Sequence, residues 1–168
     1  MKDKSQAGDL YTHLRLRKKR KKRYGSQNRR GMILNQVSIE KRPAVVDQRS
    51  RIGDWEIDTI IGAHHQGVLL SLVERKSRLC LIARLANKSA QEVERTTINL
   101  LDSIKEKVHT VTSDNGKEFA KHESIAKNLD ARFFFAHPYA SWERGLNENT
   151  NGLIRQYFLK KLNSNKSR

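Results

Sequence analysis

Three apolar runs, joined by links too short to hold a helix, constrain this chain more than anything else in it. Trp55, Ile57, Ile60 and Ile61 form a strand-like run closed by Gly62, and His64-His65-Gln66-Gly67 reads as a turn. Val68 to Val73 is a second run, broken by the polar Glu74-Arg75-Lys76-Ser77, and Leu79 to Leu85 is a third. Links of this length return the chain beside itself, so the runs predict an antiparallel meander. The pattern then alternates. Ser89, with Glu92 a helical turn later, fits a capping box. Val93, Thr97, Leu100, Leu101 and Ile104 follow at helical spacing. His109 to Thr112 reads as a strand, Phe119 to Leu129 as a helix and Arg132 to Ala136 as a fifth strand. A last helix opens near Ser141 and runs to about Leu159. Strands separated by helices should lie parallel to the first strand in one sheet. The expected fold is α/β, a mixed five-stranded sheet flanked by helices.

The charge lies elsewhere. Residues 1–51 hold 16 Lys and Arg against four Asp and Glu, a net +12, whereas the remaining residues hold 18 against 14, a net +4. Arg15, Arg17, Lys18, Lys19, Arg20, Lys21, Lys22 and Arg23 are eight cations in nine positions, with Arg29 and Arg30 close behind. Such a block repels itself and cannot bury a core, so it is expected to be extended or fluctuating until a polyanion neutralises it. Nucleic-acid phosphates are dense enough to do so. A solvated cationic tail without a specific partner is the alternative. Residues 1–51 thus read as a basic DNA-contacting arm, 52–160 as the globular core, and the polar 161–168 as a tail. No apolar run approaches the roughly 18 residues of a membrane span. Met1-Lys2-Asp3-Lys4 opens no secretory signal, and an intracellular chain is expected. The single cysteine, Cys80, excludes an intramolecular disulfide and a cysteine-rich zinc module; it reads as a small core residue. His64, His65, His122 and His137 lack paired-ligand spacing and read as loop or surface residues.

Three carboxylates occupy telling places. Asp58 lies inside the first strand, where a charge needs a partner. Asp114 ends the fourth, at what a parallel topology makes the functional edge. Glu148 lies on the last helix. At about 100° per residue, Leu146, Thr150, Leu153, Ile154 and Tyr157 share one side of that helix, and Glu148, Asn151 and Arg155 the other. That polar side is expected to face a site. Mg²⁺ or Mn²⁺ suits such oxygen donors. Two ions about 3.5–4 Å apart would activate a water or a 3′-hydroxyl for phosphoryl transfer. Alternatives stay open on pattern alone. Glu56, one pleat period before Asp58, shares its face. Asp114-Asn115-Gly116 is also a turn sequence, and Glu148 reads equally as a solvated helix residue. Arg144, Asn147, Asn151 and Arg155 flank Glu148 within reach of phosphates, or simply line the surface. Trp142 is expected to pack under the last helix rather than to stack on a base.

The stretches Arg51-Ile52-Gly53-Asp54-Trp55-Glu56-Ile57-Asp58, Ser113-Asp114-Asn115-Gly116-Lys117-Glu118-Phe119 and Ser141-Trp142-Glu143-Arg144-Gly145-Leu146-Asn147-Glu148-Asn149 together resemble bacterial DDE transposases of the insertion sequence thirty family. The resemblance runs from roughly Leu10 to Phe158, and the separation of Asp114 and Glu148 by 33 intervening residues is typical of that family. It implies a ribonuclease H-like, retroviral-integrase-like core with Asp58, Asp114 and Glu148 as catalytic metal ligands, and selects Asp58 over Glu56. It further implies Mg²⁺ or Mn²⁺, as two ions, transposon-end and target DNA as substrates, and action as a homo-oligomer in the bacterial cytoplasm, beside the nucleoid. The reaction implied is DNA cleavage followed by strand transfer. Family members also carry helix-turn-helix regions upstream and continue past the glutamate helix. This chain is therefore expected to be truncated at both ends, and an idle DNA-binding remnant is the competing expectation.

Residues 1–51 should bind DNA with little sequence preference. If about 6–10 phosphates are contacted, affinity should fall roughly 10³–10⁵-fold between 50 and 200 mM salt. A titration of the segment with a flat salt response would contradict this reading.

Overall fold

The computed structural model describes residues 33–62 and 67–156. Within them a five-stranded sheet runs in the order β3-β2-β1-β4-β5. Its strands are β1 (Asp54–Ile61), β2 (Val68–Glu74), β3 (Cys80–Leu85), β4 (Thr110–Ser113) and β5 (Arg132–Phe135). β1, β2 and β3 pair antiparallel, as their short links require. β4 is parallel to β1, and β5 to β4. The α-helices are α1 (Ala44–Asp47), α2 (Ala90–Leu101), α3 (His122–Asn128) and α4 (Gly145–Ile154).

The capping expectation for α2 holds in half. Ser89 Oγ accepts the Glu92 N–H, but the Glu92 carboxylate accepts the Ala86 N–H instead of closing back on Ser89. The single helix expected over Phe119–Leu129 is divided into a 3₁₀ turn at Lys117–Phe119 and α3. Asp114 Oδ1 accepts the Gly116 N–H, which bends the chain sharply after β4 and favours the tighter turn first.

Side chains alternate across a strand, so each face of the sheet has its own composition. One face is apolar. Trp55, Ile57, Leu70, Leu72, Val111, Phe133 and Phe135 meet Val93 and Leu101 of α2 and Ile125 of α3 in the core. The opposite face carries Glu56, Asp58, Ser71, Val73 and Thr112, placed by the pairs Glu56↔Val73, Asp58↔Ser71 and Glu56↔Thr112. That polar face is also buried. Arg42 Nη1 donates to Thr112 Oγ1 at 3.1 Å, and Arg75 Nε donates to the Val46 carbonyl at 3.1 Å.

These contacts move the boundary expected at residue 51. The compact unit starts at Ile33, which joins the core. Ser38 bridges Phe135 in parallel, and Val46 is fully buried. A 3₁₀ turn at Ile39–Lys41 and a one-turn α1 carry no apolar period, so charge counting alone assigned the segment to the arm. The expected arm cations Arg15, Arg17, Lys18, Lys19, Arg20, Lys21, Lys22, Arg23, Arg29 and Arg30 lie outside the described residues. So do His64, His65, the last turns expected after Gln156, and the 161–168 tail. His122, expected at the surface, is buried, with its ring against Phe133 and edge-on to Phe135. Cys80 is only half-buried, because β3 is the sheet edge. No helix among the described residues is long and apolar enough to cross a membrane.

Gly53 joins three strands at one point. Its carbonyl accepts the His109 and Thr110 N–H groups, and its own N–H donates to Glu74 Oε1. It has φ +107°, and a Cβ there would stand 1.9 Å from the Lys107 carbonyl oxygen. Gly53→Ala should lower the unfolding free energy by at least about 2 kcal/mol in a urea titration. An unchanged midpoint would mean that the close approach is not kept in solution.

Candidate active site

The parallel pairing of β1 with β4 places Glu56 opposite Thr112. Two residues further on stand Asp58, still within β1, and Asp114, just past the end of β4. Two carboxylates, one on β1 and one at the end of β4, are thereby brought to the same arginine. Asp58 is the more enclosed: its Oδ1 accepts the Thr59 N–H at 2.7 Å and its Oδ2 accepts Asn151 Nδ2 at 3.0 Å. Arg144 spans both, with Nη1 3.5 Å from Asp58 Oδ2 and Nη2 3.5 Å from Asp114 Oδ2. Burial, first of all, pushes the Asp58 carboxyl above its ordinary range; Arg144 opposes the shift, while the charges on Asp114 and Glu118 add to it.

Glu148 is not in this group. It is exposed on α4 and makes no hydrogen bond or ion pair among the described residues. The buried residues of α4 are Asn147, Asn151 and Ile154, whereas Leu153, expected inward, is 45% exposed. The helix is thus turned from the expected orientation, because it packs on the polar face of the sheet. Asn151 Oδ1 and Asn147 Oδ1 both accept from Ser71 Oγ, at 2.7 and 3.2 Å. By helical geometry Glu148 lies about 60° around the axis from Asn151 and about 20° from Arg155. Arg155 is exposed as well, and Arg144 and Asn151, expected at phosphates, point inward to Asp58. Trp142 does not pack under the helix: it is 75% exposed in the 3₁₀ turn Ser141–Arg144.

Glu56 has a different task from Asp58. It is fully buried, pairs with Arg75 Nη1, and its Oε2 accepts the Asn147 N–H at 2.9 Å, in the first turn of α4. The carboxylate thereby fastens the helix that carries Glu148 to β1. Glu118 was not foreseen in the site. It is nearly buried, accepts Thr59 Oγ1 at 2.9 Å and pairs with Lys88 at 2.8 Å. The motif Asp114-Asn115-Gly116-Lys117-Glu118 held the signal, since an acidic residue so soon after a strand end falls back toward it. An open cleft of about 360 Å³, lined in part by Arg42, Arg75, His137 and Trp142, contains none of Asp58, Asp114 and Glu148. Of the residues lining it, Arg42 pairs with Asp47, Arg75 with Glu56 and His137 with Glu143.

The paired carboxylates suit a hard divalent ion, which needs one or two carboxylates and completes its shell with waters or phosphate oxygens. Arg144 Nε, buried beside them, has no hydrogen-bond partner among the described residues. No group of three or more His, Cys, Asp or Glu placed to hold a metal occurs among the described residues.

The integrase core domain family matches residues 48–141. The chain is 48% identical over 159 residues to the transposase for insertion sequence element IS4351 of Bacteroides fragilis, covering 94% of this chain and 49% of that protein. It is 36% identical over 143 residues to transposase InsI for insertion sequence element IS30A of Escherichia coli, covering 83% and 37%. The chain thus spans about half the length, or less, of these relatives. Among solved structures, the catalytic core domain of BIV integrase superposes with a TM-score of 0.52 at 22% identity, covering 62% of this chain and 67% of that one. A simian T-cell lymphotropic virus intasome gives 0.58 at 18%, covering 70% and 44%. The fold is that of the retroviral integrase cores, the ribonuclease H-like architecture expected from the motifs.

Glu56→Gln should cost about 3–5 kcal/mol of stability, because it strands the buried Arg75 charge. Removing both charges, as Glu56→Leu with Arg75→Leu, should recover at least about 1 kcal/mol of that loss. Additive losses in urea unfolding would show that the two side chains do not depend on each other.

Proposed function

This chain belongs to the integrase core domain family, and from that premise we propose that it is the catalytic core of a DNA transposase that cleaves DNA strands and joins them to new sites. The observation that carries the reading is the convergence of Asp58 and Asp114 from neighbouring parallel strands, with a cation already drawn between them. Similarity to transposases over most of the chain supports the choice of substrate. Under this reading Asp58 and Asp114 hold Mg²⁺ or Mn²⁺, and Glu148 joins them from α4. A bound divalent ion there supplies Lewis acidity and a nucleophile at neutral pH.

The remaining residues do the positioning. Asn151 fixes one oxygen of Asp58, and Ser71 in turn fixes Asn151. Glu56 anchors the first turn of α4. Glu148 stands about 60° around the helix axis from Asn151, which touches Asp58, and substrate phosphate is the natural completing ligand. The basic stretch Arg15–Arg23, with Arg29, Arg30 and Arg155, supplies phosphate contacts to transposon-end and target DNA. A second copy of the chain would supply the second DNA end. Such contacts position the substrate without reading its sequence.

The exposed Glu148, standing apart from the other two carboxylates, favours one competing reading: a chain that binds DNA and does not cut it. An oligonucleotide cleavage and strand-transfer assay with Mn²⁺ separates the two. Nicking should appear with Mn²⁺ and vanish with chelator. Asp58→Asn, Asp114→Asn and Glu148→Gln should each reduce it at least about 100-fold, at the top of the range seen for residues merely supporting a metal ligand. DNA retention without any metal-dependent nicking would favour the competing reading, and full activity in Glu148→Gln would remove that residue from the site.

A further inference from the structure

The geometry points to Arg144 as a built-in counter-cation of the Asp58–Asp114 pair, one that a divalent ion must displace. This rests on the proposed metal site and adds a competitor to it. Three of the buried carboxylates in this core have cations of their own: Glu56 has Arg75, Glu118 has Lys88, and Asp54 has Arg51. The fourth, Glu74, is met by the N–H groups of Gly53, Lys76 and Ser77. Asp58 and Asp114 share one, and among the described residues no other cation pairs with either. A single positive charge therefore faces two negative ones, and its two Nη atoms are divided between them. The lodging is imperfect. Both separations are 3.5 Å, longer than a charge-assisted hydrogen bond of about 2.7–2.9 Å, and Nε is buried without a partner. One further bond, Nη1 to the Ile57 carbonyl at 3.3 Å, ties the guanidinium to β1.

A divalent ion coordinated by Asp58 and Asp114 would take the oxygens that Arg144 now faces. It would also sit within a few ångströms of a fixed positive charge if Arg144 stayed. Like charges so close repel strongly away from bulk water. Metal binding and the Arg144 ion pairs are therefore mutually exclusive, and the guanidinium sets the metal concentration at which the site loads. Without metal it serves the fold, holding the start of α4 against β1 and relieving the repulsion between the two aspartates. Arg144 is in this sense a positioning residue whose release accompanies loading.

The consequence runs against the usual outcome of removing a buried residue from a site. Arg144→Gln should bind Mn²⁺ more tightly than the parent, by at least about fivefold, the lower end of ordinary coupling between two ligands of one protein. Arg144→Lys keeps the charge on a single nitrogen and should fall between them. Mn²⁺ affinity is read on the full chain from the loss of the free-ion paramagnetic resonance signal, with circular dichroism to establish that each variant is folded. Because metal-free Arg144→Gln leaves Asp58 and Asp114 facing each other, its melting temperature should also rise more on Mn²⁺ addition than that of the parent. Equal or weaker Mn²⁺ binding in folded Arg144→Gln, with binding in the parent still abolished by Asp58→Asn, would overturn the counter-cation role alone. Should Arg144→Gln prove unfolded, Arg144→Lys carries the test, and affinity no tighter than the parent overturns the role. If Asp58→Asn leaves Mn²⁺ binding unchanged, the metal site itself is misplaced, and the inference falls with it.

Discussion

The buried pairing of Glu56 with Arg75 is the constraint on which the site depends. A fully buried carboxylate is tolerated only when its charge and its lone pairs are met. Glu56 meets both conditions, with Arg75 on one oxygen and the Asn147 N–H on the other. Arg75 is itself tied back to the Val46 carbonyl. One ion pair thus links β1, the turn after β2, the segment before β1 and the helix carrying Glu148. The sheet's other face is held by ordinary apolar packing through Trp55, Ile57, Leu72 and Phe133. The division is economical: the apolar face provides stability, and the polar face fixes geometry.

Asp58 and Asp114 inherit their placement from that arrangement. Their approach follows from backbone register, which the core enforces, and does not require the carboxylates to attract one another. Register holds them together against their mutual repulsion, and burial raises the cost of charging Asp58. A site built this way favours a cation from outside. Until one arrives, Arg144 is the nearest positive charge. Glu148 lies on the solvent side of a helix whose inward face is taken by Asn147, Asn151 and Ile154.

Most of this layout was legible before the structure. Link lengths alone dictate the meander, and the alternation after Ser89 dictates parallel strands four and five. What the sequence hid has physical causes. The orientation of α4 differs from the one its apolar period predicts because that period assumes an apolar surface opposite, and the surface there is Glu56, Ser71 and Asp58. The same assumption tucked Trp142 under the helix, where the space belongs to polar groups. Residues 33–51 looked like arm because α1 is a single turn and its anchor, Arg75, lies far along the chain. His122 looked like a surface residue because a histidine gives no sign in sequence of the Phe133 and Phe135 rings that enclose it. Glu56 and Asp58 share a face and a charge; only their partners, Arg75 and the Asn147 N–H for one and Asn151 and Arg144 for the other, tell them apart.

The central claim is that Asp58 and Asp114 form the metal-holding half of a DNA-cleaving site. Anomalous diffraction from crystals of this chain grown with Mn²⁺ tests it most directly. The account predicts a peak within roughly 2.0–2.3 Å of oxygens from both aspartates, close to the distances hard divalent ions keep, with the Arg144 guanidinium moved away from them. A well-ordered peak elsewhere, with Arg144 still lodged between Asp58 and Asp114, would contradict it.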